Sequence, residues 1–143
     1  MSGIGVCAQI AAKDPERADR MWGMVLGEDG EYSLDRPARA MGRQLCDQCP
    51  LRVDCLSRAL VSPVRDNTII GGLSYEERTI LARRVAKAFD TASRRIHKLS
   101  QPAVRDWLAG HPEIIICAKD ARHQMWRQKK QRREPVSAQG TLF

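Results

Sequence analysis

Three cysteines crowd one short stretch of the chain, QLCDQCPLRVDC, with two residues between Cys46 and Cys49 and five between Cys49 and Cys55. A C-x-x-C pair can grip one ion or one edge of a cluster, and a third thiolate on the following helix can close another position. Whatever the chain folds into must therefore bring these sulfurs together. The rest of the core is thin: 43% of the 143 residues are apolar, only 5% are aromatic, and mean hydropathy is −0.44. A chain so composed commonly draws stability from a metal, a cofactor or a partner. The opening MSGIGVCAQIAAKD lacks the cationic and long apolar regions of a secretory signal. No apolar run approaches the roughly 20 residues that span a bilayer. The expected location is the cytoplasm, without membrane association. There, five cysteines argue for metal binding, redox chemistry or burial rather than a disulfide scaffold.

Almost every segment between the breaks reads as helix. Asp14 can cap a helix with Pro15 at its first position and Gly27 as its stop. A second helix enters near Asp35–Pro37 and runs toward Cys46. Pro50 can start a third, with Cys55, Leu56, Ala59 and Leu60 on one face. SPVRDNTIIGG breaks the pattern with Pro63, Asn67 and Gly71–Gly72, which predicts an exposed turn. Ser74 and Glu77 have the spacing of a capping box. A short helix is expected between Ser100 and Gly110. Another starts at Pro112, with Ile114, Cys117, Ala118, Ala121 and Met125 on one stripe. The end, EPVSAQGTLF, has no period and reads as a frayed tail. No segment reads as a strand, so the expected class is all-α. A small helical domain over residues 1–90 would be followed by a basic helical extension and tail over 91–143.

The fourth ligand is the open question at the cysteines. Zinc would usually bring a second C-x-x-C or a paired H-x₃₋₅-H, and His97, His111 and His123 are scattered. Four thiolates without a second paired motif suit an iron–sulfur cluster, whose corners can be reached from distant segments. Cys7 and Cys117 are the remaining cysteines. CDQCPLRVDCL resembles the C-x-x-C-P-x-R-x-x-C core of the WhiB-like family, iron–sulfur transcription regulators of actinobacteria and their phages. Upstream, CAQIAAKDPE sets Cys7 ahead of an Asp-Pro-Glu step as that family does. Downstream, IIGGLSYEER matches its Gly-Gly turn and Glu/Arg-rich helix. The resemblance implies a [4Fe-4S] cluster ligated by Cys7, Cys46, Cys49 and Cys55, around which the expected all-α domain would be organised. Cys117, on an apolar stripe, is expected to be a buried structural thiol.

The family turn commonly carries a tryptophan before Gly-Gly that contacts a σ factor of RNA polymerase. Ile70 occupies that position here, so the resemblance implies a partner site at Ile69, Ile70, Gly71 and Gly72. An aliphatic side chain loses the ring area and the indole N–H, and Ile69 and Ile70 could equally close the core.

Charge separates the two halves. Residues 1–77 balance at −3 and residues 78–143 at +10, which points the second half at a polyanion. RHQMWRQKKQRR packs Arg122, Arg127, Lys129, Lys130, Arg132 and Arg133 around Trp126. Such a density suits DNA phosphates, the plain alternative being a solvated face. LSQPAVRDWLAG also resembles the second half of a helix-turn-helix, although the preceding TASRRIHK matches it poorly.

The expected function is a non-enzymatic transcription regulator that docks on a σ factor and holds promoter DNA, with no small-molecule substrate. Oxygen or nitric oxide acting on the cluster would make it a switch. The alternatives are a thiol–disulfide oxidoreductase using Cys46 and Cys49, or a zinc-stabilised DNA-binding module.

Overall fold

The computed structural model describes residues 5–133. The expected tail over residues 134–143 lies outside them. Helix α1, Val6–Lys13, ends at Asp14, which at once caps α2, Pro15–Trp22. The Asp14 N–H donates to the Ile10 carbonyl at 2.7 Å, and its carboxylate accepts from the Arg17 N–H at 3.1 Å. Such a cap stabilises a helix start by about 1 kcal/mol.

Helix α2 stops at Gly23, four residues before the expected stop at Gly27. Beyond it, Val25–Leu26 (β1) pairs antiparallel with Tyr32–Ser33 (β2). This small ribbon corrects the expectation of no strand. Two residues per strand are too few to show the alternation that marks one in a sequence. Asp35 caps α3, Arg36–Asp47, by accepting from the Ala38 N–H at 3.1 Å. Helix α4, Arg52–Val61, begins two residues after Pro50, the residue expected to open it. Helix α5, Tyr75–Ala88, opens with the expected capping box. A 3₁₀ helix, Ser93–Lys98, leads to α6, Gln101–Gly110, and α7, Pro112–Arg133. Among the described residues the architecture is thus helical apart from one tiny ribbon, as expected.

Two apolar clusters hold these helices. The larger joins Leu56 and Leu60 of α4 and Leu81 and Val85 of α5 to Ile96, Val104 and Leu108, with Ile115 and Ala118 of α7 against them. This core takes residues from both sides of residue 90. Burying one Leu such as Leu56 contributes about 1.5–3 kcal/mol. The smaller cluster joins Met21 and Trp22 of α2, Cys46 of α3 and Ile69. Helix α7 is buried at Ile115 and Ala118, but Met125 lies beyond the core and is exposed, contrary to the single stripe expected. Residues 93–98, where a helix-turn-helix would need an α-helix, form the 3₁₀ helix instead. Val104 and Leu108 are core.

Candidate metal centre and partner-docking site

The four cysteines of the motif come from three neighbouring helical segments. Cys7 lies in the first turn of α1 and is exposed; Cys46 is buried near the end of α3. Cys49 lies in the link to α4 and Cys55 in the first turns of α4, both half-buried. A side-chain carbon placed on Gly5 would stand 3.8 Å from the Cys7 sulfur and 3.9 Å from the Cys49 sulfur. Gly5 therefore keeps the space between these two sulfurs free of a side chain.

Electrostatics group the same four. Burial pushes the Cys46 thiol up, while hydrogen bonds from the Trp22 side chain and the Gly72 backbone pull it down, and Cys7 and Cys49 add repulsion. Burial likewise pushes the Cys55 thiol up, followed by repulsion from Cys7, Cys49, Asp54 and Cys46. Cys117 acts on neither thiol. It sits half-buried on α7 rather than fully in the core. Crowded thiolates repel one another, a cost that a cationic centre relieves. Sulfur donors are thus available from Cys7, Cys46, Cys49 and Cys55. Among the described residues, no three His, Cys, Asp or Glu side chains converge on a point that would hold a single metal ion. His111 bonds the Trp107 carbonyl through Nδ1 and stacks on that indole, and His123 lies beside Trp126 on α7.

The Gly-Gly turn lies against Cys46. Ile70 and Leu73 exchange backbone hydrogen bonds of 3.1 and 3.0 Å around Gly71 and Gly72, both at positive φ. This is the pattern of a type I′ turn, which glycine adopts without strain. A side-chain carbon on Gly71 would meet Leu56 Cγ at 2.5 Å, and one on Gly72 would meet the Cys46 Cβ at 3.3 Å. Both glycines are buried, correcting the expected exposed turn; only residues 62–67 of that stretch are exposed. Ile69 is 4% exposed and packs with Trp22 and Cys46, its N–H donating to the Trp22 carbonyl at 2.6 Å. Ile70 is half-buried, so of the two isoleucines it is the one with surface to offer.

Several residues that hold this site gave little sign of it in the sequence. The Trp22 indole N–H donates to the Gly42 carbonyl at 3.1 Å and the Cys46 sulfur at 3.2 Å. Arg52, two residues after Pro50 in the motif, donates to the Gly71 carbonyl at 3.0 Å and pairs with Asp47 at 3.0 Å. Arg39 reaches the carbonyls of Gly23 and Asn67 at 2.8 and 2.6 Å. Arg78 binds four carbonyls, those of Val64, Asp66, Thr68 and Leu73, and burial pushes its pKa down. Nη2 of Arg43 donates to both carboxylate oxygens of Glu77, 2.8 Å to each. The indole offered the one available signal, since a buried Trp N–H needs a partner.

The basic residues of α7 fall into two groups. Arg122 pairs with Glu76 of α5 at 3.1 Å, and Lys119, one turn earlier, pairs with Asp47 at 3.1 Å. Arg127, Lys129, Lys130 and Arg132 are exposed, with Lys130 Nζ lying 5.4 Å from the Trp126 ring centre. Arg133 ends the helix, and its side chain lies outside the described residues.

Among the described residues, no helix is long and apolar enough to cross a membrane. No curated protein and no solved structure matches the chain. A family model, Transcription factor WhiB, matches residues 7–81, just over half of the chain. That span takes in all four motif cysteines, the Gly-Gly turn and the first half of α5, and the chain belongs to the WhiB family of transcription factors.

Proposed function

We propose that this transcription factor holds a [4Fe-4S] cluster on Cys7, Cys46, Cys49 and Cys55, docks on a σ factor of RNA polymerase through the turn at Ile70–Gly71–Gly72, and grips promoter DNA with α7. The family is one that binds iron–sulfur groups, and the chain carries five cysteines. The observation that carries the ligand set is geometric: the Cys7 and Cys49 sulfurs flank one point beside Gly5, and both act on the Cys46 and Cys55 thiols. Gly5 leaves the space between Cys7 and Cys49 open, and two N–H donors reach the Cys46 sulfur. Donors of this kind stabilise a thiolate and tune a bound cluster. When bound, the cluster would supply a centre that reacts with oxygen or nitric oxide.

The chain's own residues would turn that centre into a signal. Gly72 rests on Cys46, and Arg52 ties the turn to Asp47, the residue after Cys46. Asp47 also holds Lys119 of α7. A change at Cys46 thus has short routes to the σ-facing turn and to the basic helix. Exposed cations on α7 supply the phosphate contacts.

Iron and acid-labile sulfide in anaerobically purified protein test the ligand set. Cys7→Ser, Cys46→Ser, Cys49→Ser and Cys55→Ser should each lose the brown chromophore, and Cys117→Ser should keep it. Normal iron and sulfide in any of the first four overturns the assignment. Colourless wild-type protein holding zinc would return the zinc-stabilised module.

A further inference from the structure

Helices α5 and α7 leave between them an open cavity of about 410 Å³, whose lining includes Tyr75, Arg83, Met125, Trp126 and Lys129 together with the Arg122–Glu76 pair, so that Arg83 and Lys129 are its unneutralised cations. Trp126 is 54% exposed and Met125 51%, and Tyr75 is exposed across the groove. In a chain with only three Trp, two Tyr and two Phe, two such rings at one groove are a concentrated feature. Cations accompany both rings. Lys130 Nζ stands over Trp126, and the Arg78 guanidinium lies 5.9 Å from the centre of the Tyr75 ring. The His123 ring is nearly parallel to Trp126, with centres 6.1 Å apart.

A duplex keeps its base faces stacked inside and offers phosphates and groove edges, which lysine and arginine can hold without any ring. An exposed aromatic among cations suits a strand whose bases are free to stack on it. We propose that the groove between α5 and α7 binds single-stranded DNA, with a base stacked on Trp126 and flanking phosphates held by Arg83 and Lys129. The inference rests on the DNA-binding role of α7 and adds a second ligand form to it. An acidic peptide fits the charges less well. The cations run past the groove along α7 at Arg127 and Arg132, as a polyanion longer than the groove requires.

The test uses the full chain at one low salt concentration, with a labelled oligothymidylate of about 15 nucleotides and a duplex of equal length. Oligothymidylate should bind and quench tryptophan emission, since Trp126 is the exposed indole whereas Trp22 is buried. Trp126→Ala should weaken oligothymidylate binding about ten-fold, within the range for removal of one base stack. Duplex affinity should hold within about two-fold, and Trp126→Phe should recover most of the loss. Duplex binding without oligothymidylate binding overturns this inference while leaving DNA binding by α7 intact. Absence of both overturns the two together. Equal losses on both probes, or equal quenching by a polyglutamate peptide, also sinks the single-strand site.

Discussion

Gly71 and Ile70 are neighbours whose substitutions should read out differently. Gly71 has φ of +59° and leaves no room for a methyl group, Leu56 Cγ being 2.5 Å from where one would sit. Left-handed strain at a non-glycine residue costs on the order of 1–3 kcal/mol, and the clash with a fully buried leucine adds to it. Gly71→Ala should therefore lower the unfolding free energy from urea titration by at least that much, and iron content should fall too, because the turn rests on the cysteine segment. Ile70 is half-buried, so Ile70→Asp should cost far less stability and keep the cluster absorbance while weakening capture of σ factor in a pull-down. A loss of stability as large as that of Gly71→Ala would return Ile70 to the core. Trp22 shows the same division of labour at one side chain. Its ring fills the smaller cluster, and its N–H supplies the Cys46 sulfur.

At the scale of elements, the segment between α4 and α5 is held by charge as much as by packing. Arg78 of α5 binds four of its carbonyls, and Asp66 sits beside that guanidinium. Hydrogen bonds from Thr68, first its backbone N–H and then its side chain, hold the Asp66 carboxyl below its usual value, with Arg78 adding to the effect. A depressed folded-state pKa stabilises the fold above the unfolded value, about 3.9, and that contribution disappears as pH falls through the folded pKa. Asp66→Asn keeps an acceptor for Thr68 and removes the charge. Its deficit in urea midpoint should be constant above about pH 5 and should close in stronger acid. A pH-independent deficit would mean that shape rather than charge holds the segment. The starts of α2, α3 and α5 were legible in the sequence because a cap is a local event. Asp14, Asp35 and Ser74 each bond a backbone N–H within their own first turn. The cysteine spacing was legible for the same reason. What packs on the Gly-Gly turn was not, because Leu56, Cys46 and Arg52 reach it from other elements. Buried Arg39 and Arg78 also ran against expectation, since arginine is rarely buried unless every donor finds an oxygen. The ribbon after α2 was missed because Gly23 and Gly27 are equally good helix stops by residue type, and only the pairing of Val25 with Ser33 distinguishes them.

Across the whole molecule, the acidic and basic halves meet along α7. Toward its middle Lys119 pairs with Asp47 and Arg122 with Glu76, so two of its cations already have carboxylate partners in the half that carries the cysteines. Farther along, Arg127, Lys129, Lys130 and Arg132 are exposed, and these should neutralise most of the phosphates. Each duplex phosphate left without its cation should flatten the log–log salt dependence of binding by about 0.9. Replacing all four by glutamine retains helix propensity and the buried anchors Ile115 and Ala118, so the helix itself should stand. The salt slope should then flatten by several times that increment. Affinity should fall alike on unrelated sequences, because cations on phosphates position a protein without reading bases. Arg122→Gln alone should change the slope by less than one such increment. Its guanidinium, already partnered by Glu76, would have to leave that carboxylate to reach a phosphate. Iron content should stay at the wild-type level in both variants, since none of these residues touches the cysteines. An unchanged slope in the fourfold variant would make the far end of α7 a solvated face. A slope as sensitive to Arg122 as to the other four would mean that the pair with Glu76 opens on DNA, and that α7 shifts against α5 when it binds.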